Sequence, residues 1–142
     1  MFLVNIWRKK AFESALRRKD ITQAGRLIQK KKNVKGWKDE ALCIVARYGE
    51  KDLAKKLISH GADITHSDCK PVRIAAKYGQ TDIVKLFIRE GKDCRNMCHT
   101  ALMVAIDNNR SHTVKGIGDV YKLNETAPAT VQKTQKPQKP NQ

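Results

Sequence analysis

Apolar residues between positions 39 and 94 come in short bursts at helical spacing. Leu42, Val45 and Ala46 share one face of a helix, and past Gly49 a second burst puts Leu53, Leu57 and Ile58 on one face. The same succession returns thirty residues later, with Val72, Ala75 and Ala76 before Gly79, then Ile83, Phe87 and Ile88. Residues 41–49 lie over residues 71–79, and the match runs on through Asp52/Asp82, Lys55/Lys85, Gly61/Gly91 and Asp63/Asp93. Each unit predicts two short helices separated by a glycine.

The register extends in both directions. Ala11, Ala15, Leu16, Leu27 and Ile28 fall in the same columns upstream, and Ala101, Leu102, Ala105 and Ile106 do so downstream. Three whole units lie near 9–33, 39–64 and 69–94, with a partial fourth from about 99. Asp20 and Gln23 have the spacing of a capping box at the start of a second helix. Gly61 and Gly91 stand where a left-handed residue would end one, while Lys31 takes that place in the first unit and predicts a looser end. Past Val114, Gly116-Ile117-Gly118 is poor helix, so the fourth unit is expected to end as an irregular cap. Neither helix of a unit can bury its apolar face alone, and stacking the units buries a continuous strip. The fold class expected is all-α, a solenoid of about three to four helix-turn-helix repeats with short loops. A plain helical bundle would not require a fixed period.

Residues 75–91, from paired Ala75-Ala76 to Gly91, and the turn His60-Gly61-Ala62-Asp63-Ile64 resemble the ankyrin-repeat family. The resemblance covers about 9–115 and is strongest in the two central units. It implies a non-enzymatic protein-binding module. The family's usual period is about 33 residues, and here the missing residues fall where a β-hairpin finger normally projects, so short loops are expected. The family's Thr-Pro-Leu-His opening is degraded to Lys70-Pro71-Val72-Arg73 and to His99-Thr100-Ala101-Leu102. Such shortened units resemble those abundant in large viruses, which suggests a viral protein acting on a host factor in the host cytoplasm. Binding in the family usually uses the concave side, including the two residues before the mid-repeat turn. These map to Arg17 and Arg18, Arg47 and Tyr48, Lys77 and Tyr78, and Asp107 and Asn108.

Charge sharpens this picture. The net charge is +15, and residues 1–35 hold eleven Lys or Arg against two acids. A basic, tyrosine-bearing stripe suits an acidic protein patch, with Arg pairing carboxylates and Tyr as a rigid anchor. The alternative is nucleic acid, with cations on phosphates and tyrosine on unpaired bases. Tyr48 and Tyr78 packing between units, hydroxyl outward, is the bland alternative. Trp37, between the first two units, is either an anchor or packing.

Residues 1–8 are set apart as an N-terminal segment, 9–122 as the repeat domain and 123–142 as a disordered Lys/Pro/Gln-rich tail. No apolar run approaches the roughly 20 residues of a membrane span, so no membrane partner is expected and the protein is placed in the cytoplasm. The four cysteines are expected to be reduced thiols. His66, Cys69, Cys94, Cys98 and His99 have zinc-ligand chemistry but no spacing that requires a site. No phosphate loop and no nucleophile–base pairing appear, so neither enzymatic activity nor a metal or cofactor is expected. The apolar face of the last unit leaves room for a dimer.

Overall fold

The computed structural model describes residues 2–29, 36–91 and 94–125 of the chain. Lys31, with the looser helix end expected there, and the tail from residue 126 lie outside the described residues. Eight helices are described: α1 (Phe2–Arg17), α2 (Ile21–Gln29), α3 (Trp37–Tyr48), α4 (Lys51–Ser59), α5 (His66–Lys77), α6 (Thr81–Glu90), α7 (Cys94–Asp107) and α8 (Ser111–Glu125). They form four antiparallel pairs in successive layers. The first helices stack α1 on α3, α3 on α5 and α5 on α7, and the second helices stack α2 on α4, α4 on α6 and α6 on α8. No strand occurs among the described residues, and none of their helices is long and apolar enough to cross a membrane.

The core follows the columns. Phe12, Leu42 and Val72 are fully enclosed, as are Ala15, Val45, Ala75 and Ala105. Three of the latter four are alanines, whose small side chains let neighbouring first helices approach closely. Leu27, Leu57 and Phe87 make the matching strip on the second helices.

Each first helix ends on a left-handed residue at the same place in the repeat. Lys19 (φ 63°), Gly49 (φ 80°), Gly79 (φ 70°) and Asn109 (φ 56°) reverse the chain. The next residue's amide then reaches back to the helix, from Asp20 to the Ala15 carbonyl at 2.8 Å, from Gln80 to Ala75 at 2.9 Å and from Arg110 to Ala105 at 2.8 Å. This is the Schellman pattern. Side chains just past the turn tie each layer to the one before. Gln80 Nε2 donates to the Arg47 carbonyl at 3.0 Å, Arg110 Nε donates to the Lys77 carbonyl at 2.9 Å, and Glu50 lies 3.7 Å from the Lys19 ammonium.

The caps match the sequence in part. Gln23 N–H donates to Asp20 Oδ1 at 3.0 Å, capping α2. Gly61 is left-handed (φ 90°) and closes α4, with Ala62 N–H on the Leu57 carbonyl at 2.9 Å. Gly91 differs from expectation, being extended (φ −77°, ψ 147°). Glycine is required there by space, because a Cβ would overlap the Met97 sulfur and the Phe87 carbonyl.

Two stretches depart further from the sequence reading. The fourth unit does not end irregularly at Gly116-Ile117-Gly118, and α8 continues to Glu125. Ile117 and Val120 are buried on this helix, and Gly116 lets Thr81 come close enough for its hydroxyl to meet that of Thr113 at 2.9 Å. Packing thus outweighs the low helix propensity of glycine. Residues 123–125, expected in the tail, belong to the same helix. At the head of α5, Ser67, Asp68 and Cys69 all have left-handed φ of 49–57° before Pro71 starts the right-handed helix. Arg73 clamps this turn by donating to the Asp68 and Ser67 carbonyls at 3.1 and 3.0 Å.

The two glycines of α8 separate propensity from packing. A Cβ on Gly118 meets nothing within 4 Å, whereas one on Gly116 comes 2.5 Å from the Thr81 methyl. Gly118→Ala is therefore expected to stabilise the fold by about 0.5–1 kcal/mol. Gly116→Ala is expected to destabilise it by about 1–3 kcal/mol despite the same gain in propensity. Urea denaturation of the two variants checks the opposite signs.

Candidate partner-binding face

The first helices run side by side, so their C-terminal residues form a row across the layers. Arg17, Arg18, Arg47, Lys77, Tyr78 and Asp107 are exposed there, while Tyr48 and Asn108 are half-buried. The middle of the row is a connected cluster. Arg47 pairs with Glu13 of the preceding layer. Its guanidinium lies 5.1 Å from the centre of the Tyr48 ring and donates to the Tyr48 hydroxyl at 3.2 Å. Arg17, one layer back, also favours the ionised form of Tyr48. The Arg47 bond, with a smaller effect from the nearby Arg17 charge, holds the Tyr48 phenol below its ordinary titration range, against the opposing effect of burial. The same bond raises the titration of Arg47.

The row is therefore less uniformly basic than the sequence suggests. Glu13, absent from the sequence-derived set, balances Arg47. The two tyrosines also differ. Tyr48 packs against the core, whereas Tyr78 is 44% exposed. Asn108 turns its amide back to the Val104 carbonyl at 2.8 Å and caps its own helix. Arg18, Lys77 and Asp107 flank the cluster from the solvent side. Trp37 is no surface anchor. It begins α3 at only 4% exposure, edge-on to Phe12 at 5.4 Å and beneath the Arg8 guanidinium at 5.6 Å.

Beside the cluster a groove of about 290 Å³ is lined by Lys9, Glu13, Glu40, Cys43, Ile44, Arg47, Lys70 and Ile74. Lys9 and Glu40 pair across it at 3.2 Å. Burial, and next the Glu40 carboxylate, push the Cys43 thiol up to about 11. A thiol that stays protonated at neutral pH is a poor nucleophile. Of the zinc-type residues, Cys69 and Cys98 are buried and His99 is exposed. Among the described residues no three His, Cys, Asp or Glu side chains stand close enough to hold a metal ion.

What this face can do is bind by position and charge. The family model for ankyrin repeats, three copies, matches residues 12–98 and again residues 42–123. The chain belongs to the ankyrin-repeat family. The starts of the two matches, 12 and 42, are one thirty-residue unit apart. Ankyrin repeats are in general protein-interaction modules. No curated protein and no solved structure matches beyond this family-level similarity.

The Arg47 contact gives a direct reading in solution. The Tyr48 phenol, assigned by difference from Tyr48→Phe, is expected to ionise below the usual value of about 10. In Arg47→Ala it is expected to move upward, because the guanidinium that donates to it is gone. Spectrophotometric titration at 295 nm, roughly the tyrosinate band, checks this sign.

Proposed function

We propose that this ankyrin stack captures an acidic segment of a protein partner on the row formed by its first helices. The observation that supports this reading is the contact of Arg47 with both Tyr48 and Glu13 of the preceding layer. Glu13, Arg47 and Tyr48, three side chains from two layers, form one pre-oriented cluster. Guanidinium groups held in place lose little freedom on meeting a carboxylate, so more of the contact energy remains as affinity. Exposed Arg18, Lys77 and Tyr78 extend the cluster on both sides. In the viral setting that the short units suggest, the partner is a host protein met in the host cytoplasm.

Nucleic acid is the competing ligand, favoured by the exposed Lys9, Lys10, Arg17, Arg18 and Lys19 of the first layer. The internal pairs Lys9–Glu40 and Arg47–Glu13 weigh against it, because they place carboxylates where phosphates would lie.

Affinity purification from native cells tests the reading. The variant with Arg47, Tyr48, Lys77 and Tyr78 all changed to Ala is expected to lose partners that the native chain retains. The affinity is expected to fall about tenfold or more. Equal recovery by both chains would remove this face from the function. Gel shifts on DNA and RNA at low salt are expected to show no complex, and a complex lost steeply with salt would favour the nucleic-acid reading.

A further inference from the structure

We propose that copies of this chain dock head to tail, with Trp7 of one seated between α7 and α8 of the next. The proposal uses the ends of the stack and none of the residues of the partner-binding row.

One repeat column carries the argument. Trp7, Trp37, Ser67 and Met97 stand thirty residues apart. Trp37 is buried on Arg8 and Phe12 of the layer before it. Met97 is also fully buried, its sulfur filling the space left by Gly91 of the layer before it. In the second and fourth layers a large side chain in this column thus keys the layer into its predecessor, while the third layer carries the small, exposed Ser67. Trp7 has the same place in the first layer, yet it is 62% exposed, beside exposed Leu3, Val4 and Ile6. An indole this exposed within an apolar patch marks an interaction surface.

The far end presents the matching seat. Leu16, Ala46 and Ala76 are buried under a following layer, whereas Ile106, next in that column, is 52% exposed. Phe12, Leu42 and Val72 are fully buried, whereas Leu102 is only half-buried. A cavity of about 330 Å³ opens here, lined by Cys98, His99, Leu102, Ile117, Gly118 and Tyr121. Cys98 and Leu102 stand three units after Arg8 and Phe12, the two residues that hold Trp37. Continuing the stack by one layer therefore brings the Trp7 of a second copy onto Leu102 and Cys98. Its α1 then covers α7, as α3 covers α1 inside the molecule.

Such a contact joins unlike surfaces, so it does not close on itself and allows growth beyond two copies. The net charge of +15 opposes it through like-charge repulsion. Association is therefore expected to strengthen with salt, the reverse of binding to an acidic ligand.

Sedimentation velocity across protein concentration tests the proposal, in about 0.01 M and about 1 M salt, where the Debye length falls from about 30 to about 3 Å. The expected result is concentration-dependent species larger than monomer, favoured by high salt. Trp7→Ser and Ile106→Glu alter exposed side chains, so circular dichroism should show both variants folded. Each alone is expected to remain monomeric, with association weakened about tenfold or more. Mixed in equal amounts they should form a dimer that grows no further, because each retains the end the other lacks. Self-association by either variant alone, or no dimer on mixing, would overturn head-to-tail docking. A wild type that stays monomeric while Trp7 carries it onto phosphatidylserine vesicles would assign the tip to a lipid surface, and the proposal would fall.

Discussion

The left-handed residue between the two helices of each layer is the constraint on which the stack depends. At Lys19, Gly49, Gly79 and Asn109 the chain reverses within one residue, and after three of them the following amide returns to the first helix, while at Gly49 its own amide does so. That reversal fixes how the second helix lies on the first, and hence which apolar residues meet. It also sets the position of the next side chain, which ties the turn to the layer before it through Glu50, Gln80 or Arg110. Glycine at 49 and 79 does more than permit positive φ, since the side chains of Gln80 and Arg110 lie across the space where a Cβ would stand. Local backbone geometry and contact between layers are thus decided at one point.

The same geometry explains how the proposed recognition row is built. Residues 17, 47 and 77 end successive first helices, so residues far apart in sequence become neighbours. Arg47 meets the Tyr48 hydroxyl there, and a glutamate of the first layer answers the charge of the second. The row is a pre-arranged surface of mixed charge, rather than the uniform basic strip that composition alone suggests. Arginine suits this role because its planar fork can hold a carboxylate, a phenol oxygen and a ring face together.

The helical layers were legible in the sequence because burial recurs at identical places. A column such as Ala15, Val45, Ala75 and Ala105 must remain small or apolar whatever surrounds it. Mid-repeat turns were legible at Gly49 and Gly79 for a similar reason. Elsewhere the deciding groups are distant in the chain. Gly116 looks like a helix breaker until Thr81 is seen against it, and Gly91 looks like a left-handed cap until Met97 is seen filling its space. Arg47 looks like a free cation until Glu13, on another helix, is placed beside it. Trp37 stays undecided between anchor and packing until Phe12 and Arg8 are seen to enclose it. Periodicity reports what every layer has in common, and these four cases turn on what a single pair of layers has alone.

The left-handed turn at Ser67, Asp68 and Cys69 has a mechanical consequence. Non-glycine residues in this conformation cost about 1–2 kcal/mol each, and three occur in succession at the joint between the second and third layers. A layered protein is held together chiefly by nearest-neighbour interfaces, so strain at one joint is not shared out along the stack. Arg73 acts as the latch, with both its hydrogen bonds on carbonyls of the turn itself. Without that latch the head of α5 should open first, ahead of the packed layers on either side.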